Sequence, residues 1–272
     1  MGPMSELSRW RPRKVYCTGK EDHSDEPGEL HVVKFRQAQP GAAALVCEVV
    51  CHGLLEAAGI ATLDARLVHV SAAYGKSCEQ KPEIPYKVVV GLHFGTVLRT
   101  DVENGPPLSI DDLADPQELL DIWVLDSWLA NVDREIEGNL LLSLGENGKF
   151  HLIAADQSDC LCGSETLCSG GWSQAMRSRG AASTVPFWNR AVYHCGGGKA
   201  LRKALDRADK AAKKLDAALS RVPEAWWHEA HLDADSIRTE LDRRYRRLEE
   251  IIELKQWEGL KNATQGGKLL DL

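Results

Sequence analysis

Three oxygen-bearing side chains, Asp133, Asn139 and Asp156, stand close together in the middle of the sequence. Asp133 and Asn139 precede apolar runs at 140–142 and 150–155 that read as the two strands of a β-hairpin, and Asp156 follows the second run. Because a hairpin brings its two ends together, we expect the three side chains to converge. Two hard oxygen ligands beside a separate carboxylate suit metal-assisted transfer of a phosphoryl group to a hydroxyl.

A lysine and a glutamate nearer the N-terminus could serve the same chemistry. Lys34 is the one cation in the β-rich run at 32–35. Glu48 lies in a predicted helix at 42–58 that is apolar nearly all round, and burying an unpaired carboxylate is costly. We therefore expect Lys34 and Glu48 to form an ion pair that joins strand to helix. The alternatives are a Lys34 that is merely solvated and a Glu48 exposed on one edge of the helix.

The segments 131–134, 139–142 and 155–158 resemble the catalytic loop and metal-binding strand of kinase-like folds, most closely those of the HipA-like kinases. They read Asn-Val-Asp-Arg, Asn-Leu-Leu-Leu and Ala-Asp-Gln-Ser, in the family's order. The resemblance extends over most of the chain. The sequence departs from the family in two places, since Asp133 and Asn139 are six positions apart rather than five, and Glu135 replaces the more usual His or Thr.

This resemblance implies an α+β, bilobal protein-kinase-like fold. A small β-rich N-lobe with one helix would span residues 1–98, and a larger, mostly helical C-lobe would span residues 99–272. A chain of 272 residues is long enough for two such lobes. Because the Lys34 strand begins so early, we expect a compact form that lacks the separate N-terminal subdomain of the full-length toxins in this family.

The resemblance also implies ATP and Mg²⁺ as cofactors and assigns each polar residue a role. Asp133 would orient the attacking hydroxyl and accept its proton. Lys34, fixed by Glu48, would hold the α- and β-phosphates. Asn139 and Asp156 would hold Mg²⁺.

Two further segments are candidates for contact with the nucleotide. Residues 18–20 lie between two predicted strands and could cover the phosphates, or they could form a plain surface hairpin. Residues 91–95 place an aromatic between two glycines, which favours a sharp bend. We interpret 86–95 as the end of the small lobe and a hinge that contacts adenine, with an ordinary structural turn as the alternative. The candidate residues are Thr18, Gly19, Lys20, Leu92 and Phe94.

The stretch at 163–183 is rich in Ser, Gly and Cys and predicts a loop that faces the substrate or regulates activity. Its hydroxyl side chains are candidate phosphorylation sites, namely Ser164, Thr166, Ser169 and Ser173. Cys160, Cys162 and Cys168 could join Cys195 or His194 around zinc, but their spacing matches no known zinc motif and favours reduced thiols.

Composition narrows the partners that we expect. The formal net charge of -7 argues against general nucleic-acid binding. No apolar run approaches the ~20 residues of a membrane span, so we expect a cytoplasmic protein that does not bind membranes. The resemblance implies a protein substrate, and an antitoxin or regulatory protein is a candidate partner.

The most specific hypothesis is a HipA-like serine/threonine protein kinase. Three alternatives stay open. A pseudokinase would keep the fold without turnover, as the altered loop spacing and the missing glycine-rich motif permit. A lipid or small-molecule kinase is the second, because the fold is related to that of phosphoinositide kinases. A non-catalytic binding module, with the C-terminal helices docking a partner protein, is the third.

Overall fold

The computed structural model describes residues 13–16, 30–36, 41–79, 87–105, 109–135, 138–182, 188–255 and 257. Among the described residues, the strands all lie before residue 155, and every element after that position is a helix. The strands are β1 (Arg13–Tyr16), β2 (Leu30–Lys34), β3 (Ala65–Val70), β4 (Gly91–Val97), β5 (Val102–Asn104), β6 (Leu140–Leu144) and β7 (Phe150–Ala154). The helices are α1 (Ala42–Ala58), α2 (Ala72–Glu79), α3 (Gln117–Leu129), α4 (Ser164–Leu167), α5 (Trp172–Ser178), α6 (Trp188–His194), α7 (Gly198–Ala212), α8 (Leu215–Leu219), α9 (Glu224–Ala230), α10 (Ala234–Arg246) and α11 (Leu248–Ile251).

The first sheet is antiparallel, with the strand order β1-β2-β4-β3. Alternation along β2 separates its side chains onto two faces. Val33 belongs to a buried apolar cluster with Val68 and with Cys78 of α2. Lys34 therefore points to the opposite face, where its neighbour on β4 is Phe94. Phe94 and the apolar residues of α1 belong to the main hydrophobic core.

Helix α1 is buried along nearly its whole length, because it contacts β4 on one side and helices α7, α8 and α9 on the other. A helix in this position must be apolar all round, as its sequence is. It ends at Gly59, whose left-handed conformation (φ 73°) lets its N–H bond to the last turn. Glu48 is thereby held inside the protein, at 2% exposure.

The second sheet has the order β5-β6-β7 and contains the predicted hairpin. Leu140 pairs with Ala154 at the open end of the hairpin, and Leu144 pairs with Phe150 next to the turn. The Ala154 N–H also donates to the carbonyl of Ala61 at 2.9 Å, so the chain that follows α1 is tied to the second sheet. The hairpin is thus fixed to the segment that joins α1 to β3.

Helix α3 forms the centre of the helical part and is almost completely buried. It contacts helices α6, α7, α10 and α11. Trp123 stacks on Trp188 with ring centroids 4.1 Å apart, and Trp128 donates from Nε1 to the carbonyl of Leu241 at 3.0 Å. No helix among the described residues is long and apolar enough to span a membrane.

The structure differs from the sequence prediction in two segments. Residues 91–97 form strand β4, so the predicted bend is confined to its start, where Gly91 has a φ of 124°. The second glycine serves packing: a Cβ at Gly95 would lie 2.6 Å from Cγ2 of Val68. Part of the predicted loop at 163–183 forms α4 and α5, because Leu167 and Met176 are buried in the core and anchor two short helices. Its Ser- and Gly-rich composition concealed these anchors.

Candidate active site

A cavity of about 690 Å³ lies between the two sheets, a size within the range of small-molecule and cofactor sites. Both sheets, helix α1 and the residues at 98–99 that follow β4 line it. Its walls combine apolar side chains with a charged group. The apolar lining includes Val32, Leu63, Phe94, Leu141 and Ala154, and the charged lining includes Arg99 and a cluster of Lys34, Glu48 and Asp156.

The predicted contact between Lys34 and Glu48 is present, and Asp156 joins it. Lys34 Nζ contacts Glu48 Oε1 and lies 2.5 Å from Asp156 Oδ1. Burial disfavours the charged ammonium, but the negative charges of Asp156 and Glu48 outweigh it and raise the pKa of Lys34. The lysine is therefore held as a cation at the edge of the cavity.

The pKa values of the two carboxylates around Lys34 are shifted in opposite directions. Burial raises the pKa of Glu48 to about 7, although the Lys34 charge opposes this shift. Burial also works against ionised Asp156, but Lys34 and the donors of Ser158 more than offset it and hold the pKa of Asp156 well below its usual range. Ser158 donates to Asp156 Oδ1 from its backbone N–H at 3.1 Å and from Oγ at 2.5 Å. Asp156 is thus the carboxylate kept ionised.

Asp133 and Asn139 meet at the open end of the hairpin. Asn139 Nδ2 donates to the carbonyl of Asp133 at 2.7 Å and to its Oδ2 at 3.0 Å. The carbonyl of Asn139 accepts from the N–H of Ala155 at 3.0 Å. Asp156 follows Ala155 directly, so it lies at the same end of the hairpin. Burial and then the charge of Asp159 raise the pKa of Asp133 to about 6. The structure therefore brings Asp133, Asn139, Asp156 and Lys34 to one region.

A buried arginine holds this region together. The side chains of Arg134 and Asp126 are fully buried and form a forked pair, with Nε–Oδ2 and Nη2–Oδ1 distances of 2.9 Å each. Arg134 Nη1 also donates to the carbonyls of Asn139 and Ala155, at 2.6 and 2.5 Å. One guanidinium thus connects α3 to both ends of the hairpin.

Asp126 is not among the residues predicted from the sequence, although the sequence carries a signal for it. Asp126 stands in a helix whose other residues at 119–129 are almost all apolar, as Glu48 does in α1. The argument that predicted a partner for Glu48 applies equally to Asp126. Its carboxylate also accepts from Asn131 Nδ2 at 3.1 Å, and Asn131 Oδ1 accepts the Asp133 N–H at 2.9 Å, so Asn131 connects the end of α3 to the loop that carries Asp133.

The other candidate residues have different positions. Phe94 lines the cavity, whereas Leu92 is 37% exposed and does not. Residues 91–95 of the predicted hinge belong to strand β4. Thr18, Gly19 and Lys20 lie outside the described residues. Among the described residues no three His, Cys, Asp or Glu side chains form a metal-binding group, and the cysteines at 160, 162 and 168 are free thiols.

The residues present fit a magnesium ion that is shared with a nucleotide. Mg²⁺ is usually bound through one or two carboxylates together with phosphates and water, so it does not need a cluster of three acidic side chains. Asp156 supplies an ionised carboxylate. Asn139 directs its NH₂ group towards Asp133, and no donor among the described residues contacts its Oδ1. Hard oxygen ligands of this kind suit Mg²⁺.

Comparison with known proteins decides the family. The sequence model of the HipA-like kinases matches residues 16–156, which include Lys34, Glu48, Asp133, Asn139 and Asp156. The chain belongs to the HipA-like kinase family. The comparison with curated proteins finds no match.

A solved structure gives independent support for the fold. The chain is similar to the crystal structure of CtkA, a proinflammatory kinase of Helicobacter pylori, with 15% sequence identity and a TM-score of 0.50. The similarity covers 89% of this chain and 90% of that chain. At this identity it shows the fold alone. The predicted family and the predicted α+β kinase-like fold are both confirmed.

Proposed function

We propose that this HipA-like kinase is an ATP- and Mg²⁺-dependent phosphotransferase that phosphorylates a serine or threonine of a protein substrate. The observation that supports this most strongly is the position of Lys34. Its ammonium contacts Glu48 of α1 and Asp156 of the hairpin at the edge of a cavity of nucleotide size. The loop that carries Asp133 and Asn139 meets the same end of the hairpin.

Each residue then has a distinct task. Bound Mg²⁺ neutralises charge on the phosphates. Asn139 and Asp156 would hold this ion, and Lys34, kept charged and oriented by Glu48, would bind the α- and β-phosphates. Asp133 would orient the substrate hydroxyl and accept its proton. A pKa of about 6 leaves Asp133 mostly ionised at neutral pH and makes it a better proton acceptor than an unperturbed aspartate.

The buried contacts around Arg134 support this function because they pre-organise the site. Electrostatic and acid–base catalysis both require groups that are already oriented before the reaction. Arg134 holds the carbonyls of Asn139 and Ala155, the residues on either side of the open hairpin end. The groups proposed to bind metal are therefore attached to a rigid part of the protein.

The experiment is incubation of the protein with γ-labelled ATP and Mg²⁺, with protein, lipid and small-molecule acceptors in separate reactions. Asp133→Ala and Asp156→Ala are compared with Asp206→Ala, an exposed aspartate on α7. Label on protein that is lost in the first two variants and kept in the third supports the proposal.

Other outcomes contradict the proposal and identify an alternative. Nucleotide binding without transfer would indicate a pseudokinase. Label on lipids or small molecules alone would indicate a kinase of that class. A protein that binds no nucleotide in a thermal-shift assay would be a binding module. We also propose an antitoxin or regulatory protein as a partner, as the resemblance to HipA-like toxins implied.

A further inference from the structure

Asp156 has a backbone conformation that is uncommon for residues other than glycine, although aspartate is one of those that adopt it more often. Its φ of 49° lies in the left-handed region, which few residues other than glycine adopt. Such a conformation costs free energy and persists where the surrounding structure holds it in place. The residues on both sides of Asp156 are indeed held: the carbonyl of Ala155 accepts from Arg134 Nη1 at 2.5 Å, and Gln157 bonds to Glu48 and Arg134.

Gln157 is 1% exposed and bonds to several parts of the site at once. Its backbone N–H donates to Glu48 Oε2 at 3.1 Å, on the oxygen that does not contact Lys34. Its side-chain Oε1 accepts from Arg134 Nη2 at 2.8 Å. Its Nε2 donates to the carbonyl of Ala154 at 3.4 Å. One residue thereby bonds to the Glu48 helix, to the catalytic loop and to the strand that precedes Asp156.

We propose that Gln157 is a positioning residue that fixes Asp156 relative to both the Lys34–Glu48 pair and Arg134. The backbone bond to Glu48 fixes the peptide that follows Asp156, and the side-chain bond prevents Gln157 from rotating away from Arg134. These two bonds keep the backbone of Asp156 in the left-handed conformation, in which its carboxylate faces the cavity. This inference rests on the proposed function to the extent that it treats Asp156 as a metal ligand.

The amide is well suited to this place. Arg134 is already paired with Asp126, so a neutral acceptor satisfies its remaining N–H without adding another buried charge. Methionine has a similar length and keeps the backbone N–H of residue 157. It removes the acceptor, however, and leaves one guanidinium N–H without a partner in a buried position. Gln157→Met therefore removes the side-chain hydrogen bonds of residue 157, to Arg134 above all, and keeps its backbone bond to Glu48.

The first test uses the nucleotide-free protein. Amide hydrogen exchange is measured for peptides that cover residues 154–163 in the wild type, in Gln157→Met and in Gln117→Met. Gln117 is the matched control, because it is also a buried glutamine with side-chain hydrogen bonds, but it lies on α3 and contacts Asp121 and the carbonyl of Ala200. We expect at least tenfold faster exchange in Gln157→Met and less than twofold change in Gln117→Met.

The second test measures steady-state phosphotransfer by the same variants. In Gln157→Met we expect kcat to fall at least tenfold and the half-saturating Mg²⁺ concentration to rise. The KM for ATP should stay within about twofold, because Lys34 and Glu48 keep their contact. A residue with a purely structural role would not separate these parameters. Should Gln157→Met not fold, Gln157→Asn tests the same bond, since its amide is one methylene too short to reach Arg134.

The two tests separate this inference from the proposed function. Unchanged exchange at 154–163 in Gln157→Met, or an equal change in Gln117→Met, overturns the positioning role even if the wild type is an active kinase. If the wild type transfers no phosphate, the proposed function fails, and faster exchange in Gln157→Met still supports the positioning of Asp156. Normal kcat and Mg²⁺ dependence in an active Gln157→Met enzyme also overturns the inference.

Discussion

Replacing Asp126 by asparagine tests the buried ion pair on which the catalytic loop depends. The substitution preserves shape but removes the negative charge opposite Arg134. Both side chains of this pair are fully buried, so water cannot solvate the guanidinium that is left. The new amide NH₂ group would also face the donors of Arg134 or Asn131. We expect Asp126→Asn to be among the most destabilising substitutions of a single atom in this protein.

The magnitude follows from burial. Removing one partner of a fully buried ion pair typically costs about 3–5 kcal/mol, a large share of the roughly 5–15 kcal/mol that stabilises a whole domain. Asp121, five residues earlier on the same helix, provides a matched comparison. Its side chain is 2% exposed, but that of its partner Arg207 is 30% exposed and can be solvated. We expect Asp121→Asn to cost about 1–2 kcal/mol.

The assay is urea-induced unfolding of the nucleotide-free proteins at pH 7, which yields the free energy of unfolding for each variant. We expect the free energy of unfolding to be highest in the wild type, lower in Asp121→Asn and lowest in Asp126→Asn. The difference between the two variants should be larger than that between the wild type and Asp121→Asn. A loss below about 1 kcal/mol in Asp126→Asn, or a loss no greater than that of Asp121→Asn, would refute the reasoning about the buried pair.

Three further predictions concern other parts of the molecule. Donors headed by Arg177 lower the pKa of Glu240 to about 2, so Glu240→Gln should reduce the unfolding free energy at pH 7 by about 1–2 kcal/mol. The difference should shrink as the pH falls from 4.5 towards 2, because the carboxylate then becomes protonated in the folded state. Gly95→Ala should cost about 1–3 kcal/mol, since its Cβ would lie 2.6 Å from Val68 Cγ2. Lys34→Met should weaken binding of a non-hydrolysable ATP analogue about 10- to 100-fold by calorimetry, because charge-assisted bonds to phosphate are lost.

Each of these predictions has a result that contradicts it. A destabilisation by Glu240→Gln that does not change between pH 7 and 3 would show that the charge is not its cause. For the glycine, Gly170→Ala is the control, because a Cβ there meets nothing within 4 Å, and equal stability of both variants would refute the packing argument. The control is Lys149→Met, at an exposed lysine. If Lys34→Met binds the ATP analogue as tightly as Lys149→Met does, Lys34 does not contact the nucleotide.

The sequence was informative where a polar residue stood in an apolar element. Glu48 needed a partner because α1 is apolar on nearly every side, and Lys34 was the nearest cation on a neighbouring strand. The hairpin could be predicted because a turn separates two apolar runs. Pairing of the two strands brings Asp133 and Asn139, before the first strand, close to Asp156, after the second. These inferences used local periodicity and the cost of burying charge.

The sequence was less informative where the reason for a residue is tertiary. Gly91 and Gly95 were interpreted as a bend, yet Gly95 is needed for close packing against Val68 within a regular strand. A glycine permits both, and only the neighbouring strand distinguishes them. Gln157 had no signal of its own, because its importance comes from Arg134 and Glu48, which lie far from it in sequence.

The most direct test of the proposed phosphotransferase is a crystal structure of the protein with a non-hydrolysable ATP analogue and Mg²⁺. We predict a magnesium ion bound by Asn139 Oδ1 and the Asp156 carboxylate, with the Lys34 ammonium on the α- and β-phosphates and the base in the cavity between the two sheets. A nucleotide bound elsewhere on the protein, or one bound in the cavity without metal at Asn139 and Asp156, would contradict this function.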